Sequence, residues 1–293
     1  MGISVVTIFT PAYNRSNLLE RLYNSLCRQS CADFEWLIVD DGSTDNTEEE
    51  VAEWQAGATF PIRCYKQPNG GKYRAFNRAL ELAEGELFFT VDSDDYLPDN
   101  AIATIISKAD LLKGDDIIGL MTLKAYPDGN IIGKPYSEGI APSTSYQLER
   151  KGEGGERSIV LRTEMVRRFP FPDCGNEKFV TESVVYDRYA LAGLKYVVTN
   201  DILTICEYQP EGLSSNPHKL MISNPTGYVY YYAQRINLAG SAREALPAII
   251  RYHAFRLMAK RNDIRPGKYK ILTAALRPVG YITKRYYLNV SKA

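Results

Sequence analysis

The chain has 293 residues with 35 Lys+Arg and 35 Asp+Glu, so it carries no formal net charge. Hydrophobic residues make up 45% and charged residues 24%, which excludes a disordered polyelectrolyte and leaves length for one large or two modest cores. The neutrality hides a split. Through Ser215 the balance is 21 − 33 = −12, and from Asn216 onward it is 14 − 2 = +12, a polarity that concerns surfaces and partners rather than fold.

In chain order, residues 3–10 (ISVVTIFT) are apolar and β-branched, as a strand buried on both faces reads, with Pro11 ending it. A helix follows over about 17–31, with Leu18, Leu19, Leu22 and Leu26 on one stripe. Residues 34–39 (FEWLIV) form a second strand. An Asp/Gly/Ser turn at 40–46 leads into a helix over about 47–56, with Thr47 and Glu50 in capping-box spacing. A weaker strand covers 62–66. Gly70-Gly71 opens a helix to about Ala83, and Gly85 stops it. A strand at 86–91 (ELFFTV) ends in the acidic run Asp92-Ser93-Asp94-Asp95, a helix runs from about Pro98 to Leu112, and a fifth strand spans 117–123.

Residues 127–157 hold six glycines and three prolines and read as a mobile loop suited to a lid. Beyond it come a helix over about 181–192 and strands at 195–199 and 202–208. From 216 the chain reads as helical and basic, with an apolar stripe at 245–261 that Phe255 interrupts on the far side.

Strands alternating with helices define an α/β protein with a mostly parallel sheet, and such sheets bind ligands outside the carboxyl ends of their strands. Three strands deliver polar residues there: Thr10 to Arg15, Asp40-Asp41, and Asp92 to Asp95. Alternating carboxylates in a turn suit a hard divalent cation whose shell diphosphate oxygens complete, although an Asp-rich turn that only caps a helix reads the same way. Lys72, Arg74 and Arg78 at a helix start suit phosphate, or a solvated basic face.

The opening MGISVVTIFTPA reads as a strand rather than a signal peptide, and no apolar run approaches the ~20 residues of a membrane span. Cys27, Cys31, Cys64, Cys174 and Cys206 form no CxxC and read as small buried apolar residues in a reducing compartment. The sequence therefore predicts a cytoplasmic protein, peripheral at the inner face of the cell membrane if its basic segment docks on anionic lipid.

The succession TPAYNR (10–15), VDDGSTD (39–45), NGGKYRAFNRAL (69–80) and FFTVDSDDYLPDNAI (88–102) resembles glycosyltransferase family 2, with the GT-A fold. The resemblance is close over 1–105 and continues through FVTES (179–183) and YQPEGLSSN (208–216). It implies a donor-binding half at 1–105, an acceptor-binding half at 106–215 containing loop 127–157, and a basic helical region at 216–293. It implies an inverting transfer from a nucleotide sugar, UDP-sugar foremost, to a glycan or lipid-linked acceptor. Pro11, Tyr13 and Arg15 would line the nucleotide pocket and Asp40, with Asp41 beside it, would meet the base. Lys72, Arg74 and Asn77 would bind the donor. Asp92-Ser93-Asp94 would be the DXD motif, Asp92 meeting ribose or sugar and Asp94 holding Mn²⁺ or Mg²⁺, with Asp95 in support and His218 as a further metal ligand. Glu182 would be the base and Asp187 its fallback; Glu211, Ser214 and Ser215 would help close the donor pocket. The family's usual acidic pair is Glu182-Ser183 here, which keeps open a catalytically degenerate sugar-binding protein of the same fold. A response regulator fits less well, because a strand-helix unit precedes Asp40. A nucleotidyltransferase would need a glycine-rich basic loop after the first strand. No nucleic-acid recognition motif accompanies the basic segment.

Overall fold

The computed structural model describes residues 5–207 and 216–290, which fall into two compact units. One is drawn from Met1–Pro170 and Gly193–Gln209, the other from Phe171–Ala192 and Pro210–Ala293.

The first unit holds β1 (Val6–Ala12), α1 (Ser16–Cys27), β2 (Phe34–Asp40), α2 (Thr47–Gly57), β3 (Ile62–Lys66), α3 (Lys72–Leu82), β4 (Leu87–Thr90), β5 (Asp95–Tyr96) and α4 (Ala101–Ser107). A 3-10 turn (Ala109–Leu112), β6 (Ile117–Ala125), α5 (Ser145–Arg150), β7 (Arg157–Arg162) and α6 (Thr163–Val166) follow. After α7 (Ser183–Leu191) of the second unit, β8 (Lys195–Cys206) completes the first. Eight strands form one sheet in the order β3-β2-β1-β4-β7-β6-β8-β5. The β3-β2-β1-β4 half is parallel and β6 pairs parallel with β8, whereas β7 and β5 pair antiparallel with their neighbours.

Every residue of β2 is buried, as its continuous apolar run requires of a strand covered on both faces. Trp36, Phe89, Ile8 and Leu22 are fully buried in the shared core; each contributes roughly 1.5–3 kcal/mol by leaving water. Glu35, one of two carboxylates in this strand, accepts from Thr7 Oγ1 at 2.6 Å, Arg63 Nε at 2.7 Å and the Glu84 amide at 2.9 Å. A buried charge survives only when bonded in this way.

Several local expectations shift. Pro11 does not end β1: the ladder runs on to Ala12, whose carbonyl accepts from the Asp41 amide at 2.8 Å. Helix α1 stops at Cys27, so Cys31 lies beyond it, and Cys27 is exposed rather than buried. The start of α2 is capped by Asp45 and not by a Thr47–Glu50 box: Asp45 Oδ1 accepts from the Thr47 amide at 3.2 Å and its hydroxyl at 2.6 Å. Gly85 acts through close approach, since a Cβ there would sit 2.5 Å from the Thr7 amide nitrogen.

The 127–157 segment is more ordered than a glycine-rich loop suggests. It carries α5, started by a capping box of Thr144 and Gln147. The Arg157 guanidinium donates to the carbonyls of Ile132 (3.2 Å), Lys134 (2.9 Å), Glu153 (3.2 Å), Gly154 (3.2 Å) and Glu156 (3.1 Å), and lies 4.7 Å from the Tyr136 ring centre. One cation thus ties together several turns that composition alone reads as loose.

The second unit is helical. With α7 it contains α8 (Pro217–Ser223), α9 (Pro225–Leu238), α10 (Ala242–Ala259), α11 (Lys270–Ala275) and α12 (Arg277–Val290). Its core joins Val229, Ile236, Ile249, Tyr252, Phe255 and Tyr287. Phe255 does not break an apolar stripe, because α10 is covered by both α9 and α12 and needs a wider apolar face. The Phe255 ring lies 5.1 Å from the Tyr228 and Tyr287 rings.

Candidate functional site

The carboxyl ends of β1, β2 and β4 lie side by side in the parallel half of the sheet, so the polar segments that follow them meet at one edge. Asn14 takes a left-handed conformation, φ +52°. Its side-chain carbonyl accepts from the Thr44 amide at 2.8 Å, and its own amide donates to Ser43 Oγ at 2.9 Å. These bonds lock the β1–α1 turn to the β2–α2 turn. Tyr13 is exposed beside it, while Pro11 and Arg15 are half-buried.

Asp40 and Asp41 divide the work. Asp40 is buried at 1% exposure; its Oδ1 accepts from the Ser43 amide at 2.8 Å, while Oδ2 has no hydrogen-bond partner among the described residues and lies 3.8 Å from Lys66 Nζ. A buried carboxylate oxygen left without a donor is costly unless a ligand supplies one. Both oxygens of Asp41 are engaged: Oδ1 accepts from Gln67 Nε2 (2.7 Å) and the Gly70 amide (2.9 Å), Oδ2 from the Gly71 amide (2.6 Å). Asp41 therefore shapes the turn that opens α3. Gly71 sits there at φ +92°, a conformation that favours glycine.

From that turn Lys72 reaches Asp92, with Nζ 2.6 Å from Oδ1. Arg74 donates to the Gly70 carbonyl at 2.8 Å and lies 4.7 Å from the Tyr73 ring centre. Asn77 is half-buried on α3. Burial opposes ionisation of Asp92, but Lys72 and Lys124 outweigh it and hold its carboxyl below the ordinary range. Asp95 goes the other way: burial raises its carboxyl even though Lys124 Nζ lies 2.9 Å from Oδ2. Lys124 itself is pushed up, since the attraction of Asp95 and Asp92 exceeds its burial penalty.

Ser93 is buried and Asp94 half-buried. The Asp94 carbonyl accepts from the Arg21 guanidinium, which also pairs with Glu207 and lies 5.0 Å from the Tyr96 ring centre. No described side chain hydrogen-bonds the Asp94 carboxylate. Its carboxylate is left for a ligand while its backbone is held in place, and carboxylate oxygens are the donors that hard divalent cations prefer. Among the described residues no three His, Cys, Asp or Glu converge as a ready-made metal cage, so such an ion would draw further oxygens from a bound ligand.

Arg21 and Lys124 were not among the sequence-derived candidates. Lys124 had a weak signal, as the one cation in the apolar run IIGLMTLKA. Arg21 had none, since its partners lie far along the chain.

The remaining candidates belong to the second unit. Glu182 is exposed at the start of α7, with Tyr186 Oη 3.5 Å from its Oε2. Asp187 is fully buried and accepts from Arg235 Nε at 2.7 Å. His218 is exposed on α8, its ring 6.2 Å from that of Tyr287. Glu211, Ser214 and Ser215 lie outside the described residues.

A parallel half-sheet extended by antiparallel strands, with the acidic turn Asp92–Asp95 and the start of α3 at its carboxyl edge, is the GT-A architecture. Residues 7–171 match the family model described as glycosyl transferase family 2, and the chain belongs to that family. It is 35% identical over 137 residues to the chondroitin synthase of Pasteurella multocida (strain Pm70), covering 46% of this chain but 14% of that protein. The fold matches S. aureus TarS 1-349, solved in complex with UDP-GlcNAc, at TM-score 0.62 and 17% identity, over 98% of this chain and 91% of that one. It also matches the mannosyltransferase PcManGT of Pyrobaculum calidifontis, solved with GDP-Man and Mn²⁺, at TM-score 0.57 and 19% identity, over 97% and 84%.

Proposed function

We propose that the chain transfers a sugar from a nucleoside diphosphate sugar, a UDP-sugar foremost, to a hydroxyl of a glycan or lipid-linked acceptor, inverting the anomeric centre. The observation that carries this reading is the meeting at one sheet edge of a buried acceptor oxygen on Asp40, the Lys72–Asp92 pair and the uncommitted carboxylate of Asp94. Relatives bound to UDP-GlcNAc, or to GDP-Man with Mn²⁺, support a nucleotide-sugar donor and a divalent cation.

Asp40 offers one free acceptor oxygen, which suits the single imide N–H of uracil better than the two adjacent donors of guanine. Lys72 orients Asp92 and brings an ammonium toward the phosphates. Asp94 would hold the cation, with the remaining oxygens coming from the bound diphosphate; when bound, the ion supplies Lewis-acid neutralisation of the departing diphosphate. Glu182 takes the proton of the acceptor hydroxyl as it attacks. Such a base contributes on the order of 10²–10⁴ in rate. In this reading 1–105 serves the donor and 106–215 the acceptor.

The basic helical region, 216–293, meets an anionic membrane surface from the cytoplasmic side. No described helix is long and apolar enough to cross a membrane. Ile271, Tyr281, Ile282 and Tyr286 are large exposed apolar side chains on α11 and α12, among basic residues, as an interfacial element presents them.

The test is a nucleotide-sugar panel read by Mn²⁺-dependent thermal stabilisation and sugar release. The expected result is selective stabilisation by one UDP-sugar, lost in Asp94→Ala. Full transfer by Asp94→Ala in the absence of any divalent ion would refute the proposal.

A further inference from the structure

The second unit contains a cavity of about 600 Å³ lined by Tyr252, Arg256, Arg265, Lys270, Thr273 and Arg277, among others. A smaller one of about 250 Å³ shares Arg256 and Arg277 with it and adds Lys260. Residues 216–290 contain only two acids, Glu244 and Asp263. Asp263 is already held by Arg261, at 2.8 and 2.6 Å, and Glu244 accepts from the Gly240 amide at the start of α10. None of Arg256, Arg265, Lys270 and Arg277 forms an ion pair with a described carboxylate. Gathering cations without counter-charge costs free energy that a bound anion would recover.

The wall is built rather than incidental. Arg256 is held by the Arg261 carbonyl (3.2 Å) and Asn262 Oδ1 (2.7 Å), and Arg265 by the Asn262 carbonyl (3.0 Å). Gly280 lets α12 lie directly on α10, since a Cβ there would come within 2.3 Å of the His253 Cβ, and this brings Arg277 to the cavity. Thr273 is 8% exposed, and its hydroxyl oxygen has no hydrogen-bond partner among the described residues. His253 Nε2 lies 2.6 Å from the Thr273 carbonyl, so the ring donates there. Burial first, then Arg256 and Arg277, hold its pKa below the ordinary value despite that carbonyl, as a positive cavity would.

We propose that this cavity is a phosphate-binding site, taking a diphosphate or a phosphate ester whose remainder extends from the mouth. Two cations held by hydrogen bonds, Arg256 and Arg265, two more at the rim, Lys270 and Arg277, and a waiting hydroxyl match the charge and many oxygens of phosphate better than a carboxylate, and the volume exceeds that of a lone inorganic ion. The inference rests on different residues, in the other compact unit, from the donor site.

The probe is inorganic pyrophosphate titrated calorimetrically into the full chain in EDTA, which silences metal-assisted binding of diphosphate at the DXD turn. Saturable binding is expected, weakened about tenfold or more by Lys270→Gln and again by Arg277→Gln. Lys270 and Arg277 are exposed, so their loss leaves the fold intact; unchanged thermal melting and far-ultraviolet circular dichroism of both variants verify this. Sedimentation with phosphatidylcholine vesicles, with or without phosphatidylglycerol, distinguishes the source of the phosphate. Capture by anionic vesicles that both substitutions weaken and pyrophosphate displaces assigns a lipid headgroup; pyrophosphate binding without such capture assigns a soluble phosphate. Absence of saturable binding, or affinities for both probes that neither substitution changes, overturns the proposal.

Discussion

Replacing Asp187 by Asn and Glu182 by Gln, one at a time, separates the two carboxylates that α7 presents as candidate bases. Asp187 is fully buried against Arg235, whose side chain is 15% exposed, with an Nε–Oδ2 distance of 2.7 Å. Removing one member of a buried pair leaves its partner's charge uncompensated, which costs about 3–5 kcal/mol. Asn retains an acceptor oxygen, so the lower end, about 3 kcal/mol, applies. In a helical unit of this size that lowers the melting temperature by roughly ten degrees or more. Glu182 is exposed, and its truncation to an amide should leave the melting temperature within about a degree. Its effect should fall instead on turnover, by on the order of 10²–10⁴ if it accepts the acceptor's proton. The assay is a thermal melt beside steady-state release of nucleoside diphosphate at a temperature where both variants remain folded. Asp187→Asn with an unchanged melt and abolished turnover, or Glu182→Gln with near wild-type turnover, would refute the reasoning.

Two further perturbations test the scaffold. Asp45 ties the Thr47 amide and hydroxyl and the Ser16 amide together; burial works against its ionisation, yet these bonds lower its carboxyl below the usual 3.8. Because the folded value is depressed, the contribution is complete above the unfolded value and is lost as pH falls through the folded one. Asp45→Ala should therefore cost about 0.5–2 kcal/mol at neutral pH and almost nothing in strong acid, as urea melts across that range would read; an equal cost at both ends contradicts the assignment. Arg21 holds the backbone of the Asp92–Asp95 turn through the Asp94 carbonyl; if that turn binds the metal as proposed, Arg21→Met should raise the Mn²⁺ concentration needed for half-maximal activity several-fold, with a smaller change in the maximal rate at saturating metal. A loss confined to that maximal rate would place Arg21 elsewhere in the reaction.

The legible parts of the fold were those written in contiguous residues. ISVVTIFT announces a strand covered on both faces, FEWLIV and ELFFTV announce further strands, and the polar segments after three strands share one carboxyl edge of the sheet because a parallel half-sheet leaves them nowhere else. What stayed hidden depends on partners distant in sequence. The insertion of β7 between β4 and β6 and the two-residue β5 are pairings that no local pattern encodes. The two halves of the Asp40-Asp41 pair read alike, yet only the fold shows that Asp41 is consumed by Gly70 and Gly71, thirty residues on, while Asp40 keeps an oxygen in reserve. The same holds for Arg157, whose bonds to five carbonyls turn a segment composed like a mobile loop into a pinned one. Each case follows one rule. Side-chain identity fixes what a group can bond, but the bonds already made inside the fold decide which groups remain to meet a ligand. The Asp94 carboxylate and the Thr273 hydroxyl stand out for that reason: the fold places both, through backbone contacts and packing, without using their oxygens.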